Sequence, residues 1–184
     1  EEAKFLVASI GENIQVRRTA ILESGKGAVA AYVHNQAAPG LGKIGVLVAL
    51  ESPGDAKALA AVGRQLAMHV AAAAPQFARI EDVDPAARER ERSVLVEQAR
   101  ASGKAEEFIA KMVEGRLRKW YEEVVLTEQV YVIDGETKVS KVIAGAAKDA
   151  GAPVAIKGFL RFAVGEGVEK RSADFADEVA KLAR

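Results

Sequence analysis

The sequence predicts an α+β protein, in which an antiparallel β-sheet carries helices on one side and a helical hairpin interrupts the chain. Three observations predict this class. Residues 43–51 and 154–164 have the hydrophobic pattern of strands. Residues 55–74 repeat apolar side chains at spacings of three and four, as a helix packed on a sheet does. Residues 84–121 are highly charged and contain two further helical patterns joined by a Ser-Gly turn.

A helix followed by a strand is predicted at the start of the chain. Residues 2–10 place apolar side chains at helical spacing, and Gly11 ends the helix because glycine readily adopts the left-handed backbone of a helix C-terminus. Residues 13–22 then alternate with a period of two, which predicts a strand. We expect this strand to form a hairpin with the next one, residues 28–35, across a glycine-containing turn.

In this second strand the alternation predicts one apolar face, made of Val29, Ala31 and Val33. Tyr32 and His34 then lie together on the opposite face, at the end of the strand. Such a pair belongs either to a solvated edge or to a protein interface, where a ring with a polar tip buries area and still donates a hydrogen bond. The residues alone leave both interpretations open.

A central strand and a long helix are predicted next. After a loop at residues 36–42, residues 43–51 are apolar on both faces, as a strand in the middle of a covered sheet is. Asp55 is a suitable N-cap for the helix, which Pro75 ends. His69 lies on the same side of this helix as its apolar residues. We expect it to be a hydrogen-bonded histidine at the edge of the core.

Residues 84–121 predict two antiparallel helices that pack mainly on each other and protrude from the core. The second helix has one apolar stripe, which comprises Ile109, Val113, Leu117 and Trp120. The first helix offers only a thin seam around Val94, Leu95 and Ala99. Because this seam is too small to keep an isolated hairpin stable in water, we expect it to have a further partner.

The last third of the chain predicts strand-like structure at residues 124–133, a helix at residues 137–150 and the clearest strand at residues 154–164. Gly158 is predicted to mark a bulge in that strand. One side of the strand is predicted to carry Val154, Ile156, Leu160, Phe162 and Val164, and the other side Lys157, Phe159 and Arg161.

A final helix is predicted to begin at Ser172, whose hydroxyl is a suitable N-cap. Its apolar stripe consists of Phe175, Val179 and Leu182. The stripe belongs either to a helix docked on the protein or to one that binds a partner, and the residues alone do not decide between the two.

The composition excludes several classes of function. Lysine and arginine number 26, and aspartate and glutamate also number 26. This balance lacks the basic footprint that binding to a nucleic-acid backbone requires, so we expect no direct binding of nucleic acid. The chain contains no cysteine, which excludes disulfides and thiolate catalysis and agrees with a cytoplasmic location. No apolar run of about 18 residues occurs, so we expect no membrane association.

No catalytic or metal-binding arrangement emerges from the motifs. Residues 40–45 match G-x-G-x-x-G, but they follow a proline loop and open a strand, whereas a dinucleotide fingerprint follows a strand and opens a helix. The two histidines lie on different elements and lack the spacing of metal ligands. The glutamate pairs at residues 106–107 and 122–123 are predicted to be solvated. We therefore predict no enzyme activity, no cofactor and no metal ion.

Several ordered motifs are similar to the elongation factor Ts family. They are Ile10-Gly11-Glu12-Asn13-Ile14 with Arg17-Arg18, Ile44-Gly45-Val46-Leu47-Val48, Ala67-Met68-His69-Val70-Ala71-Ala72, Lys111-Met112-Val113-Glu114-Gly115-Arg116, Gly158-Phe159-Leu160-Arg161-Phe162 and Val164-Gly165-Glu166-Gly167-Val168-Glu169-Lys170. The resemblance implies a non-enzymatic guanine-nucleotide exchange factor of translation elongation. Such a factor binds the GTPase elongation factor Tu, disturbs its magnesium and phosphate site, and lets GDP leave.

The resemblance also implies a contact surface for elongation factor Tu. Ile10, Gly11 and His34 match contact positions of the family, and the C-terminal helix matches the one that reaches the GTP-binding domain. Together with their neighbours, the candidate partner-binding residues are Ile10, Gly11, Asn13, Tyr32, His34, Asn35, Phe175, Val179 and Leu182.

By the same resemblance, residues 1–26 are a remnant of the first core subdomain, and residues 27–83 and 122–170 form the second. Residues 84–121 resemble the coiled-coil insertion that makes a dimer contact in some members, and residues 171–184 form a C-terminal helix module. The family's amino-terminal module and the first half of its core are absent from the chain. That half includes a Thr-Asp-Phe-Val stretch whose aromatic residue opens the magnesium site, so we expect weak binding and poor exchange if this part is missing from the protein.

Two other functions compete with this one. The chain is alternatively a non-catalytic interaction or scaffold module that self-associates through the helical hairpin, whose thin seam needs a partner. A small-molecule enzyme is the third hypothesis, and the absence of a catalytic motif disfavours it.

Overall fold

The computed structural model describes residues 2–12, 14–103 and 105–168. Within these residues the helices are α1 (Glu2–Ile10), α2 (Ala56–Ala73), α3 (Pro85–Ala101), α4 (Glu106–Val124) and α5 (Val139–Ala150). The strands are β1 (Gly27–Ala38), β2 (Leu41–Glu51) and β3 (Ala155–Ala163), and two short 3-10 turns span Ile80–Asp82 and Leu126–Glu128. The predicted α+β class is confirmed.

The three strands form an antiparallel sheet in the order β1–β2–β3. β2 lies in the middle, as its two apolar faces predict, and its residues Val48, Ala49 and Leu50 are fully buried. β1 and β2 form a hairpin whose tight turn contains Gly40 at a φ of 76°. The strands extend through most of the predicted loop at residues 36–42, because backbone pairing continues past a bulge near the end of β1.

Helix α2 packs on one face of the sheet, and α5 packs against α2. The helix begins where Asp55 predicts, since its carboxylate accepts the backbone N–H of Ala58 at 2.8 Å. Gly63 of α2 faces Ala30 of β1, and a Cβ added to Gly63 would lie 2.8 Å from that of Ala30. Small residues on both elements therefore set how closely the helix approaches the sheet. The core includes Val48, Leu50, Leu59, Leu66, Val70, Leu126, Val139 and Ile156.

The predicted faces of β1 are reversed in the structure. Ala28, Ala30 and Tyr32 lie toward the core, whereas Val29, Ala31 and Val33 lie on the outer face. An alternating pattern distinguishes two faces but does not reveal which one a helix covers. The small alanines permit the close contact with Gly63, which valines at the same positions would prevent. Tyr32 and His34 share a face as predicted, but it is the face on the core side.

The bulge predicted at Gly158 is confirmed by a shift in the pairing of β2 with β3 at this point. One extra residue moves every following side chain to the opposite face. Ile156 is buried in the core before the bulge. After the bulge Phe159 packs against the core, whereas Leu160 and Phe162 line a groove on the outer face. The prediction of one apolar side for the whole strand is therefore wrong.

Residues 14–22 do not form the predicted strand, and the predicted hairpin with residues 28–35 is absent from the described part of the chain. They form an irregular segment, here called the strap, which lies on the outer face of the sheet. There Ala20 lines the same groove as Leu47 and Leu160. Alternation produces a strand only where a free strand edge accepts its backbone hydrogen bonds, and the strap lies on a face of the sheet rather than at an edge.

Helices α3 and α4 pack on each other, as predicted, around a shared cluster of Leu95, Ala99, Ile109, Val113 and Leu117. Near the turn between them, Nη2 of Arg100 lies 2.8 Å from Oε1 of Glu106. Further along, Arg116 donates to Gln98 at 3.3 Å. The two pairs run in opposite directions along the helices, so α3 and α4 are antiparallel. Coiled-coil packing and contact with a second copy remain predictions.

The strand-like structure predicted for residues 124–133 is wrong. Helix α4 continues to Val124, and a 3-10 turn follows. Only isolated bridges involve this stretch, one of which joins Val125 to Phe77. Val125 and Leu126 are fully buried at the base of the hairpin, whereas Val130, Val132 and Ile133 are about half exposed. The apolar pattern did not determine the backbone conformation, because short apolar runs occur both in strands and in turns that close a core.

Candidate functional site

One end of the sheet gathers three of the candidate residues that the structure describes, namely Tyr32, His34 and Asn35. His34, in the second half of β1, is paired with Ile44 of β2, and Ile44 is paired with Ala163 of β3. Just beyond β3, the N–H of Val164 donates to the carbonyl of Lys43 at 2.9 Å. The β1–β2 turn and the turn after β3 therefore lie at the same end of the sheet, here called the site end.

Tyr32 and His34 form a hydrogen-bonded pair at the site end. The Tyr32 hydroxyl oxygen lies 3.1 Å from Nδ1 of His34, and the ring centroids are 6.1 Å apart. Tyr32 is half-buried against the core, whereas His34 is exposed. With the hydroxyl donating, Nε2 of His34 carries the ring proton and points a donor away from Tyr32. The core thus holds one ring, and that ring orients the other for contact with a partner.

Asn35 and the turn that follows extend the site end into solvent. Asn35 has a φ of 49°, a left-handed backbone that asparagine tolerates better than most residues. Gly42 on the facing strand allows this geometry, because an added Cβ would lie 2.5 Å from Cγ1 of Val33 and 2.6 Å from the carbonyl oxygen of His34. Leu41 at the turn is 66% exposed. The turn therefore presents an apolar tip on a closely packed hairpin.

Helix α1 presents a second exposed surface. None of its residues is buried, and Phe5 and Ile10 are 73% and 56% exposed. Gly11 ends the helix with a φ of 78°, and its N–H donates to the carbonyl of Val7 at 2.9 Å, as predicted from its position. Exposed apolar side chains grouped on one short helix are typical of an interaction surface.

The strap connects α1 to the site end. Arg17 donates to the carbonyl oxygens of Glu166 and Gly167 at 3.1 and 3.2 Å. The guanidinium of Arg18 lies 5.1 Å from the ring centroid of Phe162. These contacts attach the segment that follows Gly11 to the turn after β3, next to the strand row that contains His34.

The structure thus places Ile10 and Gly11 on one exposed surface, and Tyr32, His34 and Asn35 on another. Among the described residues no hydrogen bond joins the two surfaces directly. The remaining candidates, Asn13, Phe175, Val179 and Leu182, lie outside the described residues.

Comparison with known proteins identifies the family. The family model described as Elongation factor TS matches residues 1–166. The chain belongs to the elongation factor Ts family. It is 60% identical over 183 residues to the elongation factor Ts of Rhodospirillum centenum, covering 100% of this chain and 60% of that protein. It is 62% identical over 179 residues to that of Rhodospirillum rubrum, covering 97% of this chain and 58% of that protein.

A third relative, the elongation factor Ts of Paramagnetospirillum magneticum, is 58% identical over 183 residues, covering 100% of this chain and 59% of that protein. The chain therefore spans about 60% of the length of these curated members of the elongation factor Ts family. The resemblance predicted from the ordered motifs is confirmed.

His69, which lies in one of the elongation factor Ts motifs, is a structural residue. It is fully buried, its Nε2 lies 2.9 Å from Oε1 of Gln129, and its Nδ1 accepts the N–H of Val132 at 3.2 Å. Burial lowers the pKa of His69 from its ordinary value of 6.5, and the hydrogen bond with Gln129 partly opposes this shift. The hydrogen-bonded histidine was predicted correctly, but it lies deeper than the core edge.

Neither metal ligands nor a membrane span are found in the part of this family member that the structure describes. Residues 2–12, 14–103 and 105–168 contain no group of three or more His, Asp or Glu side chains that could hold a metal ion. In the same ranges no helix is both long enough and apolar enough to cross a membrane.

Sequence reasoning missed the strap contacts. In the sequence Arg17 and Arg18 stand within a family motif, and no local pattern connects them with Glu166 or Phe162. Two consecutive arginines after a helix stop, and a glutamate between two glycines, were visible in the sequence. Only the fold shows that these two stretches, about 150 residues apart, meet.

Proposed function

We propose that the chain acts in translation elongation as a guanine-nucleotide exchange factor that binds elongation factor Tu loaded with GDP and promotes GDP release. The observation that carries this proposal is membership of the elongation factor Ts family, with relatives of that name about 60% identical over nearly the whole chain. The proposed location is the cytoplasm, where translation of bacterial messages takes place.

The proposed contact surface comprises Ile10, Gly11, Tyr32, His34 and Asn35, together with the candidates outside the described residues. Exposure of Ile10, and the fixed orientation of His34 by Tyr32, support this assignment. Apolar area around a positioned hydrogen-bond donor is the composition that protein interfaces favour.

Exchange by such a surface requires no covalent chemistry. An exchange factor that binds the nucleotide-free GTPase more tightly than the GDP-bound GTPase lowers the affinity of the GTPase for GDP. The two affinities change by the same ratio, because binding free energies are reciprocally coupled. We propose that the chain uses its contacts in this way to disturb the magnesium and phosphate site of elongation factor Tu. The chain itself then needs neither a nucleotide nor a metal ion.

The family division into modules is proposed for this chain as well. Residues 1–26 would belong to the first core subdomain, residues 27–83 and 122–170 to the second, and residues 171–184 to a C-terminal module. The hairpin at residues 84–121 is proposed to contact a second copy of the chain. Support for this comes from exposed apolar surface near its turn, where Phe108 is 56% exposed.

The proposed function is tested with elongation factor Tu loaded with fluorescent GDP. Addition of the chain is expected to accelerate the fluorescence decay that follows addition of excess unlabelled GDP. His34→Ala is expected to raise the half-saturating concentration about five- to tenfold, since a buried interface hydrogen bond with its apolar ring contributes about 1–1.5 kcal/mol. Arg64→Ala, on the exposed surface of α2, is the control and should leave the decay unchanged.

Two results would contradict the proposal. One is the absence of a complex with elongation factor Tu at high micromolar concentrations of chain. The other is a deletion of residues 84–121 that abolishes all partner binding while the core stays folded, which would favour the scaffold function. Light scattering of the full chain and of the deletion variant distinguishes these outcomes and also reports the proposed contact between two copies.

A further inference from the structure

We propose that Arg17 and Arg18 are positioning residues, which hold the strap on the turn after β3 and so fix Ile10 and Gly11 relative to the site end. The inference rests on the proposed binding of elongation factor Tu, and it adds residues to which no contact with that partner has been assigned. Neither arginine needs to touch the partner. Each acts by limiting where the segment that does so can lie.

Arg17 makes the most specific contact. Its Nη1 and Nη2 donate to two successive backbone carbonyls, those of Glu166 at 3.1 Å and Gly167 at 3.2 Å. The planar guanidinium presents two donors at a fixed spacing, which a lysine ammonium cannot reproduce. The acceptors lie in a turn whose Gly165 and Gly167 have φ values of 79° and 70°, a left-handed conformation that favours glycine. The turn is therefore shaped to present both carbonyls on one side.

Arg18 and Glu166 reinforce this contact. The guanidinium of Arg18 lies over the ring of Phe162, 5.1 Å from its centroid, and its Nη2 lies 3.4 Å from the carbonyl oxygen and 3.5 Å from Oε2 of Glu166. The carboxylate of Glu166 also accepts from Arg161 at 3.2 Å and from the N–H of Ala163 at 3.3 Å. The glutamate is thus held by β3 itself. Because Arg18 and Glu166 are nearly half exposed, their ion pair alone stabilises little.

The strap depends on these contacts because it and helix α1 bury little apolar surface. Helix α1 has no buried residue, and Val16 and Ile21 of the strap are 79% and 86% exposed. No strand pairing attaches residues 14–22 within the described chain. Ala20 adds a contact with the outer groove of the sheet. A segment with so little buried area stays ordered only when polar contacts hold it.

The affinity for elongation factor Tu depends on the fraction of molecules in which the strap is correctly placed. If the strap is correctly placed in only a fraction of molecules, the apparent dissociation constant rises by the inverse of that fraction. Loss of the Arg17 contact is therefore expected to raise the half-saturating concentration for GDP release roughly tenfold. The maximal rate at saturating chain should stay unchanged, because the bound complex is the same. A residue that acted directly on exchange would lower the maximal rate instead.

The test uses the full chain and four variants, namely Arg17→Ala, Arg17→Lys, Glu166→Gln and the control Arg64→Ala, on the exposed surface of α2. Hydrogen exchange of peptides covering residues 2–18 is measured without elongation factor Tu, and GDP release is measured with it. Arg17→Ala is expected to accelerate hydrogen exchange in the strap and to weaken binding to elongation factor Tu. Arg17→Lys is expected to recover only part of the protection from hydrogen exchange and only part of the binding. Glu166→Gln keeps both backbone carbonyls and is expected to have a smaller effect. Thermal melting reports whether every variant stays folded.

The outcomes separate this inference from the proposed function. If the unaltered chain binds elongation factor Tu and Arg17→Ala binds equally well, the positioning role is overturned and the function stands. Unchanged hydrogen exchange in Arg17→Ala also overturns the positioning role, whatever the binding result. If the unaltered chain fails to bind elongation factor Tu, the proposed function is overturned and the positioning role falls with it.

Discussion

Mild acid is expected to destabilise this protein through His69. Because Nδ1 of the buried ring accepts the N–H of Val132, the neutral ring carries its proton on Nε2 and donates it to Gln129. Protonation adds a second proton to the ring, on Nδ1. Nδ1 then has no lone pair to accept the Val132 N–H, and two N–H groups face each other. The Val132 donor then has no acceptor there, and the imidazolium is left in an apolar core. Both effects oppose protonation of the folded chain.

The same contacts determine the direction and the size of the change in free energy of unfolding with pH. The folded pKa of His69 lies below its ordinary value of 6.5, so the unfolded chain binds the proton first as the pH falls. The stability that His69 contributes is therefore complete above about pH 6.5 and is lost as the pH falls toward the folded pKa. A buried donor left without a partner costs about 1–3 kcal/mol, which sets the expected total loss in free energy of unfolding.

Urea unfolding between about pH 8 and about pH 5 measures this loss, since the titration of most carboxylates lies lower. The urea midpoint of the unaltered chain is expected to fall across this range. His69→Gln removes the titrating group and is expected to be less stable at the high end but nearly independent of pH. His34→Gln is the matched control, because His34 is exposed, and it should keep the pH dependence. An equal pH dependence in His69→Gln and the unaltered chain would refute the reasoning.

Two further predictions concern helix α2. Gly63→Ala is expected to destabilise by about 1–3 kcal/mol despite the better helix propensity of alanine, because the new Cβ would lie 2.8 Å from that of Ala30. Gly115→Ala in α4, where nothing lies within 4 Å of the new Cβ, is the control and should stabilise by up to about 1 kcal/mol in the same urea titration. Asp55→Ala removes the N-cap bond to Ala58 and is expected to cost about 1 kcal/mol, whereas Asp55→Ser should restore most of it. Thermal melts of the three Asp55 forms check this, and an Ala variant as stable as the Ser variant would show that the cap contributes nothing.

Elements whose signals are local were predicted well. Helix α2 follows from an acidic N-cap, regular apolar spacing and a proline stop, all within about twenty residues of sequence. Strand β2 follows from an apolar run too short for a typical helix. The bulge at Gly158 follows from a glycine within a strand pattern. In each case neighbours along the chain supply the information, so no knowledge of distant residues is needed.

Elements whose conformation depends on distant partners were predicted poorly. The strap alternates as a strand does, yet it lies on a face of the sheet and is held by a turn about 150 residues away. Residues 124–133 carry the apolar content of a strand, but they form the end of α4 and a 3-10 turn, with Val125 and Leu126 buried at the base of the hairpin. The local sequence of a segment does not determine against which edge, face or cavity of the fold the segment packs.

The residues of the candidate site also divide into those that the sequence predicted and those whose role only the structure shows. Ile10, Gly11 and His34 were named because ordered motifs resemble a family, and the exposure of Ile10 and His34 and the helix-ending conformation of Gly11 were then visible in the structure. The role of Tyr32 as the residue that orients His34 needed the observed 3.1 Å contact. The contacts of Arg17 with the turn after β3 needed the fold as a whole.

The sequence by itself determined the α+β class, the helices, the central strand and the family, because repeated spacings and ordered motifs are properties of the chain alone. Tertiary structure decided which face of β1 the core covers, where the strap lies and what meets at the site end. The physical reason is that the stability of each arrangement depends on steric fit and on hydrogen-bond partners, which residues distant in the sequence supply. Two small residues, Gly63 and Ala30, settled the face of β1 against the more hydrophobic valines, since only they let the helix approach.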